Sequence, residues 1–190
     1  MYNRLPTYVK IDGERYFINT DYRLFIEFEK DMQDKDAKEV IVKTLSNFYP
    51  AFSKIVEKKL LKEAIDKFTW FYLCGENKKE EKKRSGKKGT QTRIYDYDVD
   101  AQLIWGAYWD RGIDLTVDKV HWWKFKALFK TMPDNCEFKK IIGYRCYDGK
   151  DKDKLELKEI YKLPPTKFEV DERKRQDDIY NQLKEMSSHK

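Results

Sequence analysis

Apolar residues recur along most of this chain at the three- and four-residue spacing of helices that bury one face. The clearest run lies over 60–72, where Leu60, Ala64 and Phe68 share one side, and Gly75 follows as a C-terminal cap. The same spacing predicts helices over 21–32, 37–47, 99–110 and 117–129, and a further one from about 136 to 145. Beyond residue 150 we expect at most a short helix within 155–163 and a charged helix over 168–186.

The N-terminal residues follow the two-residue period of strands instead. Residues 7–11 and 15–18 alternate around Asp12-Gly13, a pair that adopts the positive φ angles of a tight hairpin turn. The sequence therefore predicts a mainly α protein. We expect a small helical domain with a short N-terminal β-hairpin, a flexible basic linker and a charged C-terminal helix.

Short polar residues mark the predicted helix starts, because their side chains accept hydrogen bonds from free backbone N–H groups. We expect caps from Asn19 or Thr20, from Asp96 or Asp98, from Thr116 or Asp118, and from Asn135.

The segment 76–93 differs from its surroundings because it has almost no apolar side chain to bury. Residues 75–93 hold eight basic and three acidic residues, and so carry most of the net charge of +6. We interpret 76–93 as a flexible linker. The alternatives are an electrostatic arm for an acidic protein surface or, less favoured since no aromatic residue is present to stack on bases, for nucleic acid. Its basic residues are Lys78, Lys79, Lys82, Lys83, Arg84, Lys87 and Lys88.

This segment divides the chain. We expect 1–75, with the hairpin and the first helices, to pack with the aromatic helical block 94–149 as one domain. Residues 150–190 are interpreted as a charged C-terminal extension, whose thin apolar seam docks either on the same chain or on a second copy.

Aromatic residues concentrate in the second block, where four of the five tryptophans fall between positions 105 and 123. Its two main helices are predicted to be apolar on more than one side, which is typical of a central helix or of one covered by a partner. These aromatic residues are interpreted as core, with some of them lining a protein-binding surface. The candidates are Trp105, Tyr108, Trp109, His121, Trp122, Trp123, Phe125 and Phe129.

The sequence offers no recognisable catalytic or metal site. Cys74, Cys136 and Cys146 form no CxxC pair, which favours a reducing compartment and buried or half-buried thiols. His121 has no carboxylate or cysteine four residues away, so a packed or hydrogen-bonded ring is expected. The acidic run at 96–100 lacks the glycine and glutamate of a calcium loop. We therefore expect no enzyme, no metal and no cofactor.

Membrane insertion is also not expected. No apolar run approaches the roughly 18 residues of a membrane helix, and the first ten residues lack the apolar stretch of a signal peptide. We expect a soluble protein that stays in the cell that makes it.

Several motifs resemble a family of phage proteins named after the fifteenth gene product of its founding phage. They are DYDVDAQLIWGAY at 96–108, RGIDL at 111–115, HWWKFKAL at 121–128 and FKKIIGYR at 138–145. Upstream, TDYR at 20–23 and AIDKFTWFY at 64–72 are similar to the N-terminal half of the family. The resemblance covers about 1–75 and 94–147, and leaves the linker and the C-terminal extension without a counterpart.

The resemblance implies a place in the tail module of long-tailed phages, in the siphophage group. Genes of this family lie between those for the tail tube and the tape-measure protein. That position implies a non-enzymatic tail assembly chaperone in the bacterial host cytoplasm, with the tape-measure and tail tube proteins as partners and with possible homo-oligomers. The alternatives are a nucleic-acid-binding accessory protein, or a structural tail or connector subunit of the virion.

Overall fold

The fold is described by a computed structural model, in which residues 5–76 and 93–188 are placed. Its one sheet within these ranges is the predicted hairpin of β1 (Tyr8–Ile11) and β2 (Glu14–Phe17), paired antiparallel with Ile11 opposite Glu14. Asp12 and Gly13 have φ angles of 49° and 75°, as a primed turn requires. The Glu63 carboxylate accepts a hydrogen bond from the Asp12 N–H (3.0 Å), which fixes the turn on the helical core.

Helices make up the rest of the regular structure, which confirms the mainly α prediction. Within residues 5–76 they are α1 (Tyr22–Asp34), α2 (Ala37–Phe48), α3 (Phe52–Glu57) and α4 (Leu61–Tyr72). Within residues 93–188 they are α5 (Ala101–Trp109), α6 (Trp122–Lys130), α7 (Glu137–Arg145), α8 (Lys152–Ile160) and α9 (Lys167–Ser188). None of the helices in the described ranges combines the length and apolar composition that crossing a membrane requires.

Several predicted helix starts were wrong. Asp21, and neither Asn19 nor Thr20, caps α1, since its carboxylate accepts from the Arg23 N–H. The helix predicted from 117 begins only at Trp122, because the Val120 carbonyl accepts a hydrogen bond from the Tyr22 N–H (3.0 Å) and the chain there is extended.

The remaining caps also differ from the prediction. Asp96 caps a turn over 97–100 rather than a helix, and accepts from the N–H groups of Asp98 and Val99. Asp100 stands at the cap position of α5 without capping it, since its carboxylate is bound to Arg145. Cys136, rather than Asn135, precedes α7 and makes no side-chain cap.

The short helix α3 was not predicted. Phe52, Ile55 and Val56 do have helical spacing, but the helix has only six residues, which is too short a run to identify a helix from its periodicity. Cys146 is exposed, against the expectation of a half-buried thiol, while Cys74 and Cys136 are partly buried as expected.

One aromatic core joins the two halves of the chain. Phe25 of α1 stacks on Trp122 of α6 with ring centroids 4.8 Å apart, and Tyr22 stacks on Phe125 at 4.7 Å. Phe48 and Phe71 pack against Phe25 from the other side. Residues 5–76 and residues 93–145 both contribute rings to the same buried cluster. Each of these two parts of the chain therefore shields aromatic side chains of the other from water.

A buried ion pair ties the C-terminal extension to this core. The Arg145 guanidinium binds both carboxylate oxygens of Asp100 (2.7 and 2.9 Å), and the two side chains are only 8% and 2% exposed. Arg145 also donates to the carbonyls of Ile94 (3.2 Å) and Tyr161 (2.6 Å). The Arg145 side chain thus connects Ile94, the start of α5 and the end of α8.

Replacing Arg145 by methionine tests the weight of this pair. The variant leaves the Asp100 carboxylate buried without its cation, so we expect the free energy of unfolding to fall by about 3–5 kcal/mol. Urea denaturation followed by circular dichroism measures the loss.

Arg175→Met is the matched control, because Arg175 pairs with Glu172 at 3.3 Å on the surface of α9 and its side chain is 72% exposed. Arg175→Met should lower the free energy of unfolding by no more than about 1 kcal/mol. A loss for Arg145→Met no larger than that of the control contradicts the role assigned to the pair.

Candidate protein-binding surfaces

The eight aromatic candidates do not share one surface. Tyr108, Trp122, Trp123 and Phe125 are buried in the core, which corrects their prediction as binding residues: a side chain packed on all sides is not available to a partner. The other four separate into a helix cap, an exposed pair and one wall of a groove.

The two adjacent tryptophans clamp the end of α4. The Trp122 indole N–H donates to the Tyr72 carbonyl (2.8 Å), and that of Trp123 donates to the Phe71 carbonyl (2.7 Å). A buried indole N–H needs an acceptor, and carbonyls in the last turn of a helix are available because they lack an i+4 partner within the helix. The Phe71 carbonyl also accepts from the Cys74 N–H (3.0 Å) in the turn that follows α4. The HWW motif therefore holds α6 against α4.

His121 of this motif caps α6. Its Nδ1 accepts from the Trp123 N–H (3.1 Å), and its Nε2 lies 2.9 Å from the Pro6 carbonyl. A carbonyl only accepts, so Nε2 carries the proton and the ring is neutral. Burial lowers the pKa of His121 from its usual 6.5, against a smaller opposite effect of the Pro6 hydrogen bond. The expectation of a hydrogen-bonded ring is thus met, with a specific structural role.

Trp105 and Trp109 form the exposed pair, which we call the tryptophan pair. They follow one another on one face of α5, are 39% and 53% exposed, and have ring centroids 5.3 Å apart. The Trp105 indole N–H donates to Asp114 Oδ1 (3.2 Å), which holds the Trp105 ring in place. Hydrogen bonds from Thr116 and Trp105 lower the pKa of Asp114, which keeps this acceptor ionised.

Phe129 lies in a second surface, a groove between the end of α4, the segment 93–96, α6 and α7. The groove has a volume of about 710 Å³, within the range that binds a small ligand or a few side chains. Its apolar floor includes Leu73, Ile94, Tyr95, Phe129, Phe138 and Ile142. Its charged lining residues are Lys126, Lys130, Lys139 and Glu76, and because the lysines outnumber the glutamate we call it the basic groove.

One polar group lies behind the floor of the basic groove. The carboxylate of Glu29 accepts from the Tyr72 hydroxyl (2.9 Å) and lies 3.7 Å from the Lys126 ammonium. Burial raises the pKa of Cys74, which also lines the groove, to about 11, so its thiol is protonated at neutral pH. A thiol in that state is a poor nucleophile.

The sequence reasoning missed most of the groove. Phe138 and Ile142 lie in the helix predicted from about 136 to 145, but their four-residue spacing does not show that part of that helix face stays uncovered. The basic residues predicted as an electrostatic arm, Lys78 to Lys88, lie outside the described residues. Within the described ranges no group of three or more His, Cys, Asp and Glu residues is placed to hold a metal ion.

A protein-family model described as Bacteriophage Gp15 protein matches residues 1–167 of the chain. The match runs from the hairpin to the first residue of α9 and includes both the tryptophan pair and the basic groove. Comparison with curated proteins and with solved structures finds no match.

The cap geometry of His121 makes stability depend on pH. The folded pKa lies below the unfolded value of 6.5, so the unfolded chain binds more protons as the pH falls. The stabilising contribution is fully present above pH 6.5 and is lost as the pH falls through the folded pKa. Because one proton is involved, the free energy of unfolding cannot change by more than about 1.4 kcal/mol per pH unit through His121.

Thermal unfolding of the wild type and of His121→Asn at pH 7.5, 6.5 and 5.5 measures this effect. Asparagine keeps a cap acceptor and does not titrate, so the gap in melting temperature between wild type and variant should shift against the wild type on acidification. Parallel curves for the two proteins would contradict the assignment.

Proposed function

Because the chain belongs to the bacteriophage Gp15 family, we propose that it is a non-enzymatic tail assembly chaperone that binds the tape-measure protein while the tail is built. It acts in the host cytoplasm and passes its client on to the tail tube protein. A tape-measure chain is long, helical and rich in apolar seams, and it aggregates unless a partner covers them.

The observation that carries the proposal is the tryptophan pair. Large apolar side chains that are singly exposed are common, but two adjacent indoles at 39% and 53% exposure form a contiguous apolar surface. Tryptophan is among the residues that contribute most to binding energy in protein interfaces. Since Asp114 already holds Trp105 in place, little conformational freedom is lost when a partner binds.

The other side of α5 shows why the pair faces outward. Ile104, Ala107 and Tyr108 of the same helix are buried, and the Tyr108 hydroxyl donates to the Phe125 carbonyl at 2.6 Å. The helix is therefore rigidly seated on the core by one face. The neighbouring, exposed face presents Trp105 and Trp109 to a client without any rearrangement of the fold.

A direct test is co-expression of the chain with the tape-measure protein of the same phage, followed by affinity capture and sedimentation. We expect capture of the tape-measure protein and a larger soluble fraction of it. Trp105→Ala/Trp109→Ala should weaken the complex at least about 30-fold, since a hot spot contributes about 2 kcal/mol or more.

Trp70→Ala is the matched control. Trp70 is also 39% exposed, but it lies on α4 with its ring 5.4 Å from Trp123. It should leave capture unchanged. Absence of any association between the two wild-type proteins would refute the proposed function. Equal losses of capture for the two variants would refute the proposed surface.

Mass spectrometry of purified phage particles separates this function from that of a tail or connector subunit. A chaperone leaves before the virion is complete, so its peptides should be absent from particles. Stoichiometric amounts in the virion would favour the structural subunit instead.

A further inference from the structure

The basic groove runs along α6 and has two distinct ends. At the start of α6 it is lined by Leu5, because the neighbouring Pro6 carbonyl lies 2.9 Å from Nε2 of His121, the cap of that helix. Near the end of α6 the Phe129 ring contacts the Phe138 ring of α7, with centroids 5.4 Å apart. One end of the groove therefore adjoins Leu5, and the other adjoins the first turn of α7.

The available positive charge of the groove lies at the α7 end. Lys130 and Lys139 directly follow the two contacting rings, and neither forms an ion pair with another described residue. Lys126 is engaged elsewhere, since its ammonium lies 3.7 Å from the Glu29 carboxylate and 5.1 Å from the centroid of the Trp122 ring. The α7 end is therefore suited to an anionic group, which two ammonium groups are placed to bind.

The opposite end of the groove is apolar and repels an anion. Leu5 and Leu73 line it, and Glu76 lies two residues beyond Cys74 in the same lining. Burial raises the pKa of Cys74 most, Lys126 lowers it and Glu76 raises it, which places the Glu76 carboxylate near that thiol. A ligand with one negative charge and one apolar chain consequently has a single favoured direction in the groove.

The dimensions of the groove match one small ligand. Its volume of about 710 Å³ lies within the range of small-molecule pockets. From Trp123 to Lys130, its first and last lining residues on α6, the helix rises by roughly 10 Å, the extent of a chain of several methylene groups. Fifteen residues line the groove, fewer than the roughly 20–30 that each side of a standard protein interface contributes.

We propose that the basic groove binds a long-chain carboxylate, such as a free fatty acid. The carboxylate accepts charge-assisted hydrogen bonds from the ammonium groups of Lys130 and Lys139. The hydrocarbon chain packs on the apolar floor and points towards Leu5. This inference does not rest on the proposed function, and it uses a surface other than the tryptophan pair.

Isothermal titration calorimetry of the full-length chain with decanoate, below the concentration at which micelles form, tests the site. We expect one decanoate per chain, bound at least about tenfold more tightly than decanol, because the alcohol lacks the charge. The affinity should rise about fourfold or more for every two methylene groups between octanoate and dodecanoate, because each added group leaves water. Decyltrimethylammonium, which has the same chain and the opposite charge, should bind no more tightly than decanol.

Removal of the two lysine charges tests the head of the ligand. Lys130→Gln/Lys139→Gln should weaken decanoate binding at least about tenfold and change decanol binding by less than about twofold. Lys124→Gln/Lys140→Gln is the matched control, since both lysines are exposed on α6 and α7 but do not line the groove. The control should leave both affinities unchanged.

Ala127→Trp tests the place of the chain. Ala127 lines the groove and is exposed, so the larger side chain fills the groove without entering the core. The variant should keep the melting temperature of the wild type and lose the binding of both decanoate and decanol. In the wild type, decanoate should shift the methyl resonances of Ile94 and Ile142, which line the groove, and leave those of Val117 unchanged.

Three results would overturn the proposal. One is the absence of both binding heat and methyl shifts up to millimolar decanoate. Another is equal affinity for decanoate and decanol, which would show that the lysines do not hold the head. The third is binding that survives in Ala127→Trp and is lost in Trp105→Ala/Trp109→Ala, which would place the chain on the tryptophan pair. We expect the latter variant to bind decanoate as the wild type does, which keeps this test separate from that of the chaperone.

Discussion

The fold depends on the burial of aromatic rings that come from two parts of the chain, residues 5–76 and residues 93–145. Trp122 stacks on Phe25, and its indole N–H satisfies the terminal carbonyl of α4 at Tyr72. Neither half of the chain covers its rings alone, because the indole packs on α1 while it hydrogen-bonds to α4.

This constraint also decides which aromatic residues remain for binding. Tyr108 and Phe125 stack at 4.9 Å within the core, whereas Trp105 and Trp109 lie on the outer face of the same α5 helix. A helix seated by one face is rigid, and rigid aromatic side chains lose little entropy when a partner covers them. The family signature thus contains structural and exposed positions within a few residues of each other.

The C-terminal extension is attached by polar groups rather than by an extended apolar face. The buried Arg145–Asp100 pair reaches the Tyr161 carbonyl, and beyond Pro164 only a few contacts hold the start of α9. Such an attachment fixes where the last helix begins and leaves its distal half uncovered. The distal half of the last helix and the basic groove are consequently two surfaces that the described part of the chain leaves uncovered.

Periodicity in the sequence was sufficient for the mainly α class, the hairpin with its Asp12-Gly13 turn, and the positions of most helices, because these depend on local spacing. It failed where long-range bonds compete with local ones: Val120 is bound to Tyr22 instead of starting a helix, and Asp100 is bound to Arg145 instead of capping one. The sequence also identified the aromatic block as the decisive region. Only the tertiary structure showed which aromatic residues of this block are buried and which are exposed. Each helix is apolar on more than one side, so the buried face depends on which other helices of the chain pack against it.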